Sequence, residues 1–505
     1  MKWKVSMNRQ ISLGSILQYV QMALSIIISL VYTPFMLKIL GQSEYGLYNL
    51  AISIVSYLSL FSLGLGASYI RFYSIYKKNK PDKIASLNGL YFVVFCGIGI
   101  VALIAGLILS FNVKIFFNET YTQSNLNTAK YLMILLSINL AISFPMSLFS
   151  GYVISQEQFV FEKLLNMGKT ILSPILSIVA LYFGYGSVGL VAITIFVSIT
   201  VDIINVLFCF KKLKMKIAIK GFEKGLFKDI FVFSIFIAIN QIIDQINWQT
   251  DKVILGRMIS SSAVSIYAIG AIFNTYFIQF STAISSLFSP RINRIVSEGK
   301  ATCDLELTNL MTKVGRIQFF VLFFILSGFI FFGQFFINHW AGPGYEQSYY
   351  VALLLMVPEI VPLIQNTGIE IQRAKNKHQF RSIIYLIMAF INVGISILCC
   401  YYFGVVGVAF GTTISIIVAN IIIMNIYYEK NIKIDMAFFW KNILKTLPST
   451  ILPIAIGVLL MINGYSNWLT FIKSILSFSS IYLISVGLVG LNKQEKEYMK
   501  KVLKI

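Results

Sequence analysis

The stretch that decides the fold is residues 227–255, FKDIFVFSIFIAINQIIDQINWQTDKVIL. It has the length and apolar content of a membrane span, for which roughly 20 mostly apolar residues suffice at ~1.5 Å rise each. Yet Asn240, Asp244, Asn247 and Asp251 lie inside it. At about 100° per residue these four fall within about 60° of one another on a helical wheel. An Asp at the centre of a span costs about 2.5–3.5 kcal/mol on insertion scales. Such a face looks into protein or into water held within the bilayer. One reading makes it the wall of a central aqueous cavity. The other makes it an inert polar seam between helices, with Gln241 and Gln245 beside it. Asp251 and Lys252, near the outer surface, are expected to form a local ion pair of little energetic weight.

The rest of the chain supports a membrane bundle. Of 505 residues, 57% are hydrophobic and 12% charged, against about 25% charged in a soluble domain, and mean hydropathy is +0.79. The net charge of +21 does not mark a nucleic-acid binder, because the basic residues sit in short connections between apolar spans. The basic N-terminus runs directly into a long apolar stretch, which reads as an uncleaved first helix. Cys96, Cys209, Cys303, Cys399 and Cys400 show neither disulfide nor metal spacing. His339 and His378 have no ligand-type neighbours. No Gly-rich loop ending in Lys-Ser/Thr is present, so the chain is not read as an ATPase, and no cofactor is expected.

Fourteen spans are legible, at about 12–39, 46–75, 85–111, 129–154, 165–184, 187–210, 227–255, 263–288, 314–338, 348–371, 381–403, 405–428, 443–463 and 468–490. With that alternation, 35 of the 41 Lys and Arg fall on one side. The imbalance places both termini in the cytoplasm and requires an even count. No connection is long enough to fold as a catalytic domain.

An internal repeat follows from two matches. Leu40-Gly41 before Gly46-Leu47-Tyr48 resembles Leu255-Gly256 before Ser265-Ile266-Tyr267; Tyr182-Phe183-Gly184 with Val188-Gly189 resembles Tyr402-Phe403-Gly404 with Val406-Gly407. Their nearly equal offsets suggest two parallel six-helix halves, 1–215 and 216–430, followed by an added pair of spans and a basic tail, 431–505. Repeats related by an axis along the membrane normal place a substrate site between halves.

Two further spans carry polar groups. In span ten, Pro358 and Pro362 flank Glu359, which bends or breaks a helix. Glu359, Asn366, Glu370 and Arg373 share a face if that helix is continuous. An acid at a break suits transport or gating, and a paired structural acid is the alternative. In span two, Gly64, Gly66 and Ala67 precede Arg71 about one turn inside the cytoplasmic surface. Arg71 either snorkels or grips a phosphate. Lys169 and Arg316, near span ends, read as snorkelling residues, and Arg291 and Arg294 as neighbours of anionic head groups.

The order of these motifs resembles the Wzx-type polysaccharide repeat-unit flippases of the multidrug/oligosaccharidyl-lipid/polysaccharide exporter superfamily. The matching residues are Leu40-Gly41-Gln-Ser-Glu-Tyr45-Gly46-Leu-Tyr, Gly64-Leu-Gly-Ala-Ser-Tyr-Ile-Arg71, and Asp251-Lys-Val-Ile-Leu-Gly256 followed by Ile266-Tyr267-Ala268. The resemblance implies a MATE-like fold of two six-helix lobes around a central cavity plus two C-terminal helices, in the bacterial cytoplasmic membrane. It implies alternating-access transport of an undecaprenyl-pyrophosphate-linked oligosaccharide, with membrane lipids, a polysaccharide polymerase and a chain-length regulator as partners. Basic cavity residues would hold the pyrophosphate, with Arg71 the best placed. Arg71, Asn240, Asn247, Asn366 and Arg373 are the substrate candidates; Asp244, Glu359 and Glu370 are the candidates for coupling to H⁺ or Na⁺. The rival readings are a multidrug or cation antiporter of the same fold, a membrane enzyme using lipid-linked sugars, and a non-transporting assembly scaffold. The antiporter reading is disfavoured by the lack of an acid in span one, and the enzyme reading by the short outer loops.

Overall fold

A computed structural model describes residues 7–220, 225–493 and 495–497. The basic stretches at 1–6 and 498–505, and Lys224, lie outside them. Every regular element among the described residues is helical. The chain divides into two compact units, Met1–Ala268 and Ile269–Ile505. The boundary at 215/216 expected from the repeat falls inside the first unit, and span seven packs with that unit.

The first unit begins with α1 (Met7–Ser56), a 3₁₀ turn (Tyr57–Ser62) and α2 (Leu65–Asn79). It continues with α3 (Ile84–Phe111), α4 (Gln123–Ser155), α5 (Phe159–Tyr182), α6 (Gly186–Lys211) and α7 (Leu226–Met258), and it includes the start of α8 (Ser261–Ser286). Its core is aromatic: Tyr69, Tyr73, Tyr91, Phe95, Phe144 and Tyr152 pack together. With lipid outside, such packing and interhelical hydrogen bonds supply the association energy.

The second unit contains α9 (Ser289–Glu298), α10 (Cys303–Trp340), α11 (Glu346–Ile364), α12 (Thr367–Ala374) and α13 (Gln379–Ile416). A π-helical stretch (Ile417–Ile423), α14 (Met424–Tyr427) and a second π stretch (Tyr428–Ile432) follow. Then come α15 (Met436–Leu444), α16 (Pro448–Ile462) and α17 (Trp468–Ser485).

Among the described residues eleven helical stretches are long and apolar enough to cross a membrane, or twelve with α15 and α16, which meet at a 47° bend, taken as one span. Two of these are too long for one crossing: Ile16–Asn79 has 64 residues and Gln379–Ile432 has 54. At ~1.5 Å per residue they extend roughly 95 and 80 Å, against a hydrocarbon core of ~30 Å. Each contains a glycine outside helical geometry, Gly41 (φ 72°, ψ 171°) and Gly404 (φ 60°, ψ −135°). That region of backbone space is essentially closed to residues with a Cβ. Each long stretch therefore folds over at its glycine and holds two crossings, which brings the count to the fourteen expected. Helix starts differ from expectation on the polar side: α4 begins at Gln123 rather than 129, and α10 at Cys303 rather than 314.

The first motif builds joints. Gly41 makes the fold-over, Ser43 meets Ser261 (2.9 Å), and Glu44 accepts a hydrogen bond from the Ser187 backbone at the start of α6 (2.6 Å). A Cβ on Gly46 would lie 1.8 Å from the Ser261 carbonyl oxygen, so only glycine fits. Of the repeat's paired glycines, Gly184 and Gly404 share a positive φ, whereas Gly41 and Gly256 do not.

Candidate functional site

The polar residues of α7 separate onto two faces. Gln241, Gln245 and Gln249, four residues apart, hydrogen-bond to a ladder of serines: Ser62 (3.3 Å), Ser56 and Ser59 (3.2 and 3.1 Å to Gln245) and Ser53 (3.0 Å). Tyr57 and Thr250 add a hydroxyl pair. Ser59 and Ser62 share a face because Tyr57–Ser62 is a 3₁₀ turn with 3.0 residues per turn, and Ser53 and Ser56 are i, i+3 neighbours at the end of α1. This face is the polar seam. Asn240 and Asp244 lie about 100° away from Gln241 and Gln245 around the helix and are exposed; Asn247 is half-buried. Of the four residues on the expected stripe, Asp251 is the exception. It is buried, and its carboxylate accepts a hydrogen bond from the Tyr267 hydroxyl. Lys252 is half-buried beside it.

Span two is discontinuous where it meets this helix. The 3₁₀ turn ends in left-handed Leu63 (φ 47°) and Gly64 (φ 72°), after which α2 begins. A Cβ on Gly64 would lie 2.5 Å from Ile237 Cβ, so glycine serves both the turn and the close approach to α7. Gly66 meets nothing within 4 Å, so the expected close-approach role belongs to Gly64 alone of the two glycines. Beyond the break, Ser68 and Tyr69 are buried and bonded to Tyr91 and Asn88 (both 2.7 Å). Arg71 is exposed, its guanidinium 4.1 Å from the centre of the Phe233 ring of α7. Arg71 and the Asn240–Asp244 face thus belong to the same helix pair.

In the second unit the structure does not keep the expected face. The prolines do not break span ten; α11 runs through both and stops at Ile364. Pro358 has no N–H for the Leu354 carbonyl, and the Thr413 hydroxyl of α13 takes that carbonyl instead (2.6 Å). The break falls at Gln365–Asn366, so Glu359 is on one helix and Glu370 and Arg373 on the next. Glu359 is half-buried, with the Arg381 charge nearby. Arg381 in turn lies 4.5 Å over the Tyr385 ring, and Tyr385 donates to Asn420 in the π stretch. Asn366 reaches Ser281 and Thr282 (3.3 and 3.5 Å). Glu370 is held by Arg373 (2.9 Å) and by Ser289 (3.0 Å), which joins α12 to α9.

Sequence reasoning missed two features. Arg316 does not snorkel: it is buried and forms a two-pronged pair with Glu495 (both 2.9 Å), with further bonds to the carbonyls of Asn442 and Gly490. Glu495 and Asn492 cap each other's backbone amides. Burial alone would raise the Glu495 carboxyl, but the Arg316 and Asn492 hydrogen bonds outweigh it and hold it below the ordinary value of 4.5. The second is the serine ladder, whose spacing signals a shared face only once the 3₁₀ turn is known.

An all-helical bundle of apolar spans with a polar-faced helix and a broken partner defines a polytopic membrane protein. Residues 14–296, more than half of the chain, match the family described as polysaccharide biosynthesis protein, and the chain belongs to that family. It is 21% identical over 492 residues to the uncharacterized membrane protein EpsK of Bacillus subtilis (strain 168), covering 95% of each chain. It is 20% identical over 414 residues to a putative O-antigen transporter of Shigella flexneri, covering 80% of this chain and 94% of that one. Its fold is similar to that of the lipid II flippase MurJ in an inward closed conformation: TM-score 0.73 at 17% identity, covering 98% of this chain and 100% of the other. A multidrug resistance MATE family transporter of the MOP superfamily matches with TM-score 0.62 at 14% identity, covering 82% and 98%. The expected MATE-like architecture and the resemblance to polysaccharide flippases both stand.

Proposed function

We propose that this protein is a flippase that moves an undecaprenyl-pyrophosphate-linked oligosaccharide repeat unit across the bacterial cytoplasmic membrane, with both termini in the cytoplasm. The observation that carries the reading is the division of labour on α7. Its glutamine face is used in packing against span two, while Asn240 and Asp244 are exposed to the side, on the helix whose Phe233 ring lies against the Arg71 guanidinium. An exposed polar face in a membrane helix has a function by default. Amides and carboxylates suit sugar hydroxyls, and an always-charged planar guanidinium suits a pyrophosphate. Membership of a polysaccharide biosynthesis family favours a sugar-bearing cargo over a drug or small cation.

In this reading the head group travels by alternating access while the prenyl chain stays in lipid, and a polymerase and a chain-length regulator act on the delivered unit. Arg71, Asn240 and Asn247 bind cargo, and Asp244 and Glu359 carry the coupling to H⁺ or Na⁺. Asn366, Arg373 and Glu370 are reassigned to holding α12 against α8 and α9. The test is reconstitution in vesicles with a fluorescent undecaprenyl-pyrophosphate oligosaccharide, reading how much becomes accessible to a membrane-impermeant quencher. Protein-dependent exchange between leaflets supports the reading, and exchange no faster than in empty vesicles contradicts it. Asp244→Asn and Glu359→Gln both flipping at the parent rate under an imposed ion gradient would remove the coupling role.

A further inference from the structure

At the end of α3 remote from Lys80 and Lys83, the connection to α4 forms a half-open recess of about 250 Å³. Lys114 and Lys130 both line it, together with Asn112, Asn127, Phe111 and Ile115. No carboxylate is among the lining residues, and neither lysine has an acid within ion-pair distance among the described residues. Lys130 Nζ sits 4.3 Å over the Phe111 ring, which steadies the ammonium without neutralising it. Gln123 donates to the Asn127 side-chain oxygen (3.2 Å), which leaves the Asn127 amide nitrogen as a donor beside the two charges. Lys114 and Lys130 are two of only six basic residues that the charge asymmetry puts on the outer side. Their meeting in one recess is a concentration of positive charge where such charge is scarce.

The surroundings specify the kind of anion. Ile104, Ile108, Phe111 and Ile115 are each more than half exposed and recur at helix spacing, forming an apolar stripe that leads along α3 into the recess. The volume falls below the roughly 300–1,000 Å³ of sites that enclose a whole ligand. It suits one phosphate with a small substituent rather than an oligosaccharide. We propose that this recess is an outer-leaflet site for an anionic phospholipid: Lys114, Lys130 and the Asn127 amide hold the phosphate, and an acyl chain lies along the α3 stripe. The occupant is phosphatidylglycerol, whose head group carries a net negative charge and fits the recess. The site is separate from the proposed cargo face and holds whatever that face transports.

Native mass spectrometry of the full chain in detergent, titrated with phosphatidylglycerol and with zwitterionic phosphatidylcholine, tests this. The expected result is preferential retention of phosphatidylglycerol, with affinity falling about tenfold in the Lys114→Gln/Lys130→Gln variant. The Lys114→Arg/Lys130→Arg variant and the control Lys473→Gln, an exposed lysine on α17, should bind as the parent does. Lys114→Gln alone, at an exposed position, gives a smaller loss and keeps the test open if the double variant does not fold. Unchanged phosphatidylglycerol retention in the glutamine variants overturns the proposal. So does full displacement of the lipid by inorganic phosphate at equal concentration, which would make a free anion the ligand.

Discussion

Residue by residue, α7 carries a face of bonded glutamines and an exposed polar face within one turn. Gln245 makes two hydrogen bonds to span two, and interhelical bonds in a bilayer are worth about 0.6 kcal/mol on average and up to about 1.7. Gln245→Leu should lower stability by about 1–3 kcal/mol, read as denaturant midpoint in detergent. Asp244→Asn should leave that midpoint unchanged while lowering flipping. Both changes acting alike on stability would mean the two faces are one seam. Arg316 supports a pH prediction. The Glu495 carboxyl is held below its ordinary value, so its stabilising contribution is full above about pH 4.5 and is lost as pH falls through the lowered value. At neutral pH, Arg316→Met should cost about 3–5 kcal/mol, because Glu495 is left buried and unpaired. Arg316→Met/Glu495→Leu should recover most of this. Thermal melts of the parent and these two variants at pH 7, and of the parent down through pH 4, check these statements; equal melting of the single and double variants at pH 7 would count against the buried pair.

At the scale of elements, glycines and prolines decide how apolar runs become crossings. Gly64 needs a left-handed backbone and room beside Ile237. Gly64→Ala should cost about 1–2 kcal/mol in backbone strain plus the clash, and Ile237→Ala should relieve only the clash. Gly66→Ala, with open space around it, should be nearly silent, and melting temperatures of the three separate the cases. In α11 the Thr413 hydroxyl substitutes for the amide that Pro358 lacks. Thr413→Val should therefore cost about 1–3 kcal/mol in the parent, the desolvation of an unmet carbonyl, and clearly less in a Pro358→Ala background. A double-mutant cycle with no coupling would show that Leu354 finds another partner. These details explain what could be read from residue order. The fourteen apolar runs were legible because period and length carry the signal. The fold-overs at Gly41 and Gly404 were legible too, because they fall between the spans read as 12–39 and 46–75 and as 381–403 and 405–428. The break at Gln365–Asn366 was not: it resets the helical wheel, so Glu359 and Glu370 lose the face assigned to them. Arg316 read as a snorkelling residue because Glu495, its partner, lies far along the chain.

For the whole molecule, family membership and fold agree with the chemistry on α7: a membrane protein of polysaccharide biosynthesis with the MurJ and MATE architecture. The distribution of Lys and Arg predicts cytoplasmic termini. A single cysteine placed at the C-terminus of a cysteine-free variant should resist impermeant maleimide in intact cells and react after lysis. Reaction in intact cells would invert the topology and move the Lys114–Lys130 recess to the inner side. The central claim is that the Asn240–Asp244 face and Arg71 handle polar cargo that the glutamine face does not touch. Its most direct test is the rate at which a labelled undecaprenyl-pyrophosphate oligosaccharide changes leaflet in vesicles containing equal amounts of folded protein. Arg71→Ala and Asn240→Ala/Asp244→Asn should slow exchange at least about tenfold, the loss of one charge-assisted contact, while Gln249→Ala stays near the parent rate. Parent-like exchange in both of the first two variants would contradict the account.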